Sequence, residues 1–209
     1  MGVENVFAPM PAPAVPVDGG EERDAFLGCE ERRGPLGPIG APRGVQPITY
    51  PTVNVGAQAA TLVWLVGCCG GAGTSTIRTT VMPEGFTAVE SASGQWPLGT
   101  VQAPSVVVLV TRTHGRGLAA VRRALGAWHQ QEWAATRLAG VVLVADGPKP
   151  TRAARAGINA VAGQAPATWS VPWIESWRDL DVDEDHECPR RVRHMTARLA
   201  RRVEELMKG

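Results

Sequence analysis

At 209 residues the chain has room for one domain plus a tail. Its formal net charge of +1 argues against a general polyanion binder. Four cysteines (Cys29, Cys68, Cys69, Cys188) form no C-x-x-C pair, so they read as free thiols in a reducing compartment and not as a disulfide framework.

Residues 1 to 55 read as a disordered Pro/Gly-rich arm. The run Gly34-Pro35-Leu36-Gly37-Pro38-Ile39-Gly40-Ala41-Pro42 cannot sustain a helix or a central strand. Upstream, Glu21-Glu22-Arg23-Asp24 before Ala25-Phe26-Leu27 is either one docking turn or a mixed-charge linker. No basic residue precedes Arg23, and Pro11, Pro13 and Pro16 interrupt the start, so no signal peptide is legible. No apolar stretch approaches the length of a membrane span. The expectation is a cytoplasmic protein with its ordered domain over residues 56–209.

The domain opens on Thr61-Leu-Val-Trp-Leu-Val-Gly67, a short apolar run that predicts a buried strand. It leads into Cys68-Cys69-Gly70-Gly71-Ala72-Gly73-Thr74-Ser75-Thr76. Strand, glycine loop and helix start is the layout of a phosphate-binding loop, in which backbone amides turn toward an anion and the helix N-terminus adds partial positive charge. Against G-x-x-x-x-G-K-[ST] the fit is incomplete. With Gly73 as the second glycine, Ser75 takes the magnesium-binding hydroxyl position and Thr74 stands where the lysine belongs. The chain has only Lys149 and Lys208, and the nearest downstream cation is Arg78.

Met82-Pro83-Glu84-Gly85 stops any helix after Val81. Residues 86 to 103 leave room for at most one short strand, near Phe86 to Val89. Ser105 to Thr111 is apolar on successive residues, as a central parallel strand covered on both faces should be. A helix is predicted from Leu118 to Glu132, with Leu118, Val121, Leu125 and Trp128 on one face. Leu138 to Ala145 is the next buried strand. Asp146, at its exit, is either a magnesium-organising carboxylate or part of an Asp-Gly-Pro turn. Thr151 caps a helix to Ala162, and Trp169 to Ile174 is the last strand, with Pro172 near its end.

Residues 179 to 187 form an acidic loop. Pro189 suits the first turn of an amphipathic helix to Met207, with Val192, Met195, Leu199, Val203 and Leu206 on its apolar face. Arg190, Arg191, Arg193, Arg198, Arg201 and Arg202 lie beside them, either as a solvated face or as a surface for a partner helix, nucleic acid or anionic membrane. His186, Cys188 and His194 offer three zinc-type ligands without an evident fourth. Most of the seven tryptophans read as core; an exposed Trp173 and Trp177 would mark a docking surface.

The sequence Gly70-Gly71-Ala72-Gly73-Thr74-Ser75-Thr76 resembles the deviant phosphate loop of the MinD/ParA class of P-loop ATPases. That class places a lysine before the paired glycines and another after the last one; Cys69 and Thr74 stand there instead. The altered branch with Gly-Gly-x-Gly-x-Ser-Thr, which positions pilus-assembly and secretion machinery, is the most similar. The chain is also similar to small actinobacterial proteins associated with mobile elements. Ser-Val-Pro-Trp-Ile around Pro172 resembles the Val/Ile-Pro segment that lies next to the base in the class, and the agreement in order covers about residues 61 to 175.

The resemblance implies an α/β, three-layer fold with a mostly parallel sheet, a shortened version of the P-loop NTPase fold. It implies a nucleotide site for ATP or ADP with magnesium at Gly70, Gly71, Ala72, Gly73, Thr74, Ser75 and Thr76, with Ser75 toward the metal. In the class, the turn carrying Arg112 and Arg116 sits near the nucleotide, so these arginines are candidates to replace the lysine charge. The resulting expectation is a degenerate nucleotide-binding accessory or positioning protein with weak or no hydrolysis, working with a protein partner or as a homodimer. Secretion, conjugation and plasmid maintenance are the settings the resemblance implies. The alternatives are an active ATPase that uses an arginine such as Arg78 or Arg112, and a nucleic-acid or protein-binding module built on the C-terminal arginine helix.

Overall fold

The computed structural model describes residues 32–40, 48–82, 85–91, 94–130, 135–178 and 189–208. The expected docking turn at 21–27, the acidic loop 179–187, and His186, Cys188 and Trp133 lie outside the described residues.

Three apolar runs form the middle of a six-stranded sheet: β3 (Leu62–Gly67), β6 (Ser105–Arg112) and β7 (Thr136–Val144). The strands before them are β1 (Arg32–Arg33) and β2 (Thr52–Asn54); β4 (Thr87–Glu90), β5 (Trp96–Leu98) and β8 (Ala167–Val171) complete the set. The sheet order is β1-β8-β7-β6-β3-β4. All pairings are parallel except β1 with β8. β2 and β5 form a separate parallel pair.

Every residue of β6 from Ser105 to Thr111 is buried. Val107 and Leu109 face one core, while Val106, Val108 and Val110 face the other, because successive side chains of a strand alternate. A strand covered on both faces has no polar side, which is why these runs lack alternation.

Helices α2 (Gly115–Gln130) and α3 (Arg152–Ala162) cover the first face. Leu118, Val121, Leu125 and Trp128 are all buried there, as their spacing predicts. The second face carries the one-turn α1 (Thr74–Thr76) and the long α4 (Arg190–Lys208), which buries Val192, Met195, Leu199 and Val203. The result is three layers around a mostly parallel sheet. Thr151 caps α3 by accepting the Ala154 amide at 3.1 Å. On α4, Arg190, Arg193, Arg198 and Arg201 are exposed. Trp96, Trp128 and Trp169 are core residues.

The structure differs from the sequence reading in several places. The last strand, expected over Trp169 to Ile174, spans Ala167–Val171, so Pro172 lies beyond its end. The span 86–103 holds two strands instead of one; β5 contains Pro97, which a three-residue strand of a two-stranded ribbon tolerates because few ladder bonds need its missing N–H. Helix α2 begins at Gly115, three residues earlier than its apolar stripe, because the His114 ring accepts the Gly117 amide at 3.0 Å and caps the turn. The described parts of residues 1–55 carry two short strands. From β1 the chain runs past α2, where the Ile39 amide donates to His129 Nδ1 at 3.3 Å and the Ile48 amide to Gln130 Oε1 at 2.6 Å. No helix of the described residues is long and apolar enough to cross a membrane.

Candidate functional site

The chain leaves β3 for β4 on one side and returns to β6 on the other, so the C-terminal ends of β3 and β6 flank the topological switch point of the sheet. Crevices at such points are where open α/β sheets bind ligands. Residues 68–73 occupy this position. The loop is anchored at its root, where the Cys68 amide donates to the Val110 carbonyl at 2.9 Å. Gly71 (φ 68°) and Gly73 (φ 90°) take left-handed conformations that a side chain would strain. The Ala72 amide turns back to the Cys69 carbonyl at 3.2 Å. The amides of Gly70, Gly71 and Gly73 donate to no acceptor among the described residues. A loop of this shape offers amides to an anion.

The helix after it is weak. α1 has three residues and runs on as a π turn over Ile77–Val81, ending at Met82. The β-branched Thr74, Thr76, Ile77, Thr79, Thr80 and Val81 lose side-chain freedom in a helix, and Pro83 follows. The helix contribution of positive charge, expected from the motif, is therefore small here.

A carboxylate stands beside the loop in an unexpected place. Parallel pairing of β4 with β3 carries Glu90 to the C-terminal edge of the sheet, beside the loop. The Ser75 hydroxyl donates to Glu90 Oε2 at 3.2 Å, and Arg78 Nε donates to Glu90 Oε1 at 3.2 Å. Burial pushes the Glu90 carboxyl up, but the hydroxyls of Thr74 and Ser75 and the Arg78 guanidinium outweigh it and hold its pKa below the usual range. Sequence reasoning missed Glu90. Its one signal is an acid closing the first strand after the loop.

Arg112, at the end of β6, reaches the loop: its Nε donates to the Gly71 carbonyl at 2.8 Å. Its Nη1 lies 3.7 Å from Asp146, so the charge is shared. Asp146 thus faces Arg112, while the carboxylate bonded to Ser75 is Glu90. Arg116 lies exposed in the first turn of α2. Cys69, just before the paired glycines, has its sulfur 3.9 Å from the Thr111 hydroxyl. Burial pushes the Cys68 thiol far up, and neighbouring Cys69 adds to this.

Beyond the loop, Gly73, Thr76, Arg112, Pro172, Trp173 and Trp177 line a cleft of about 50 Å³. Trp173 and Trp177 are half-buried against it instead of forming an exposed pair. The cleft has room for a water or two, far below the roughly 300 Å³ of a small-molecule pocket. No group of three or more metal-ligating side chains occurs among the described residues.

The model of a family of unknown function, DUF6668, matches residues 60–196, well over half of the chain. The chain belongs to this family. The DUF6668 match begins just before β3 and ends within α4, so it contains the loop, Glu90, Arg112 and the whole parallel core. No curated protein and no solved structure matches significantly.

Proposed function

We propose that this chain is a degenerate phosphate-loop protein of the MinD/ParA type that holds a nucleotide weakly and turns it over slowly or not at all. The observation that carries this reading is the Ser75–Glu90 pair, set against a loop with left-handed glycines at the sheet's switch point. A hydroxyl that donates to a charged carboxylate keeps its lone pairs for a cation. Ser75 and Glu90 therefore fit magnesium as one direct and one supporting oxygen ligand, although Arg78 already holds the second Glu90 oxygen. When bound, magnesium would neutralise phosphate charge. The chain's own part is to present loop amides to phosphate oxygens, with Arg112 beside them.

Weak or absent turnover follows from the missing lysine. That group normally meets the charge on the β- and γ-phosphates as the bond breaks. Arg112 is the replacement in position, but it is shared between Gly71 and Asp146. An accessory or positioning role in the cytoplasm, exercised through a protein partner, accords with such a site.

Titration with ATP or ADP and magnesium, followed by tryptophan fluorescence, tests the reading, because Trp173 and Trp177 line the cleft. Saturation in the micromolar to low millimolar range is expected, and Gly73→Val should abolish it. A folded protein that binds neither nucleotide would overturn the proposal. A second reading, an active ATPase, is favoured by the reach of Arg112 to the loop. It requires measurable turnover that Arg112→Ala removes.

A further inference from the structure

A second concavity, of about 450 Å³, lies on the other face of the sheet edge, between α2 and α3. It shares none of the lining of the cleft beside the loop. Its volume is in the range of small-molecule sites. The floor is apolar: Leu118, Ala154 and Pro150 supply it, and Gly157 lets the helices approach, since a Cβ there would lie 2.9 Å from Leu118.

Its charge is one-sided. Arg122 and Lys149 stand in the lining, and neither has a carboxylate partner among the described residues. The single carboxylate in the lining, Asp146, is already paired with Arg112. His114 is fixed by accepting the Gly117 amide at Nδ1, so in the neutral ring Nε2 carries the proton and is a donor. An apolar floor beneath two uncompensated cations and a fixed N–H donor is complementary to an anion carried on an apolar body.

We propose that the groove between α2 and α3 is a binding site for a small organic anion, with a phosphate, sulfonate or carboxylate held by Arg122 and Lys149 and its hydrocarbon or ring lying on Leu118, Ala154 and Pro150. The site is separate from the phosphate loop and stands whether or not the loop binds nucleotide. Among the described residues Asp146 connects the two, through Arg112.

The chain's two lysines make a direct test, because Lys149 lies in the groove and Lys208 is at the exposed end of α4. Pyridoxal 5′-phosphate is a planar anion whose aldehyde condenses with an amine, losing water; borohydride then fixes the adduct for peptide mass mapping. Full-length protein should be labelled at Lys149 with a saturating dependence on reagent, and at Lys208 with a linear one. Ala153→Trp places a ring in the groove from an exposed position and should slow Lys149 labelling roughly tenfold, as should Arg122→Glu. Equal labelling of both lysines overturns the proposal. So does Lys149 labelling that neither variant slows. Both substitutions are at exposed residues, and an unchanged thermal midpoint confirms that the fold is intact.

Discussion

The loop after β3 and the groove between α2 and α3 lie along the same edge of the sheet, and each has what the other lacks. The loop has left-handed glycines and amides unpaired among the described residues, but its helix is one turn long and Cys69 and Thr74, not cations, flank its glycines. The groove has two cations without a carboxylate partner among the described residues and two complete helices of 16 and 11 residues, but no glycine cradle. In a working phosphate loop, cradle and charge coincide. Here they are separated, and among the described residues Arg112, bonded to Gly71 and paired with Asp146, joins them.

The largest expected effect comes from breaking the platform under both regions. A Cβ at Gly140 would lie 2.3 Å from the Ala167 carbonyl and 2.7 Å from the Trp169 ring. Gly140→Ala must push β7 from β8 and should cost about 3 kcal/mol, read as a lowered denaturant midpoint, with both binding activities weakened. Gly73→Val should act on one region alone. Its φ of 90° would strain a β-branched residue by about 1–3 kcal/mol. Nucleotide binding should be lost while labelling of Lys149 in the groove persists; loss of both would show that the regions are not independent.

Arg112→Ala sharpens the comparison from its centre. It removes the cation beside the loop and leaves Asp146 uncompensated in the groove lining. Nucleotide affinity and Lys149 labelling should each fall severalfold. Stability should change by less than about 1 kcal/mol, because the pair is partly exposed.

The smallest effect is the acid dependence of Glu90. Its folded pKa lies below its unfolded value, so its contribution is complete above the unfolded pKa and is lost as pH falls through the folded one. Glu90→Gln should flatten stability below the ordinary glutamate range by a few tenths of a kcal/mol, since the site is open to solvent screening. At neutral pH the same variant should weaken the magnesium dependence of nucleotide binding. An unchanged magnesium dependence would remove Glu90 from the site.

Legibility followed burial. β3, β6 and β7 are readable because strands covered on both faces must be apolar on every residue, and α2, α3 and α4 because each buries one stripe. β1 and β5 are not readable. Arg32–Arg33 has no apolar signal, and Trp96–Leu98 contains a proline; both depend on backbone pairing with distant strands. The loop was legible because glycine spacing is a local backbone requirement, whereas Glu90 was not, because an isolated acid in a sequence does not reveal its neighbours.

The sequence by itself determined the parallel core, the glycine loop and the lack of a lysine in it, since apolar runs, glycine spacing and residue identity are local properties. Only the tertiary structure decided which charges meet. Parallel pairing of β4 with β3 brought Glu90 to Ser75, the strand order placed Arg112 between Gly71 and Asp146, and the packing of α2 against α3 left Arg122 and Lys149 over an apolar floor. Such meetings depend on sheet order and register, which join residues far apart in the chain, and no local pattern encodes them.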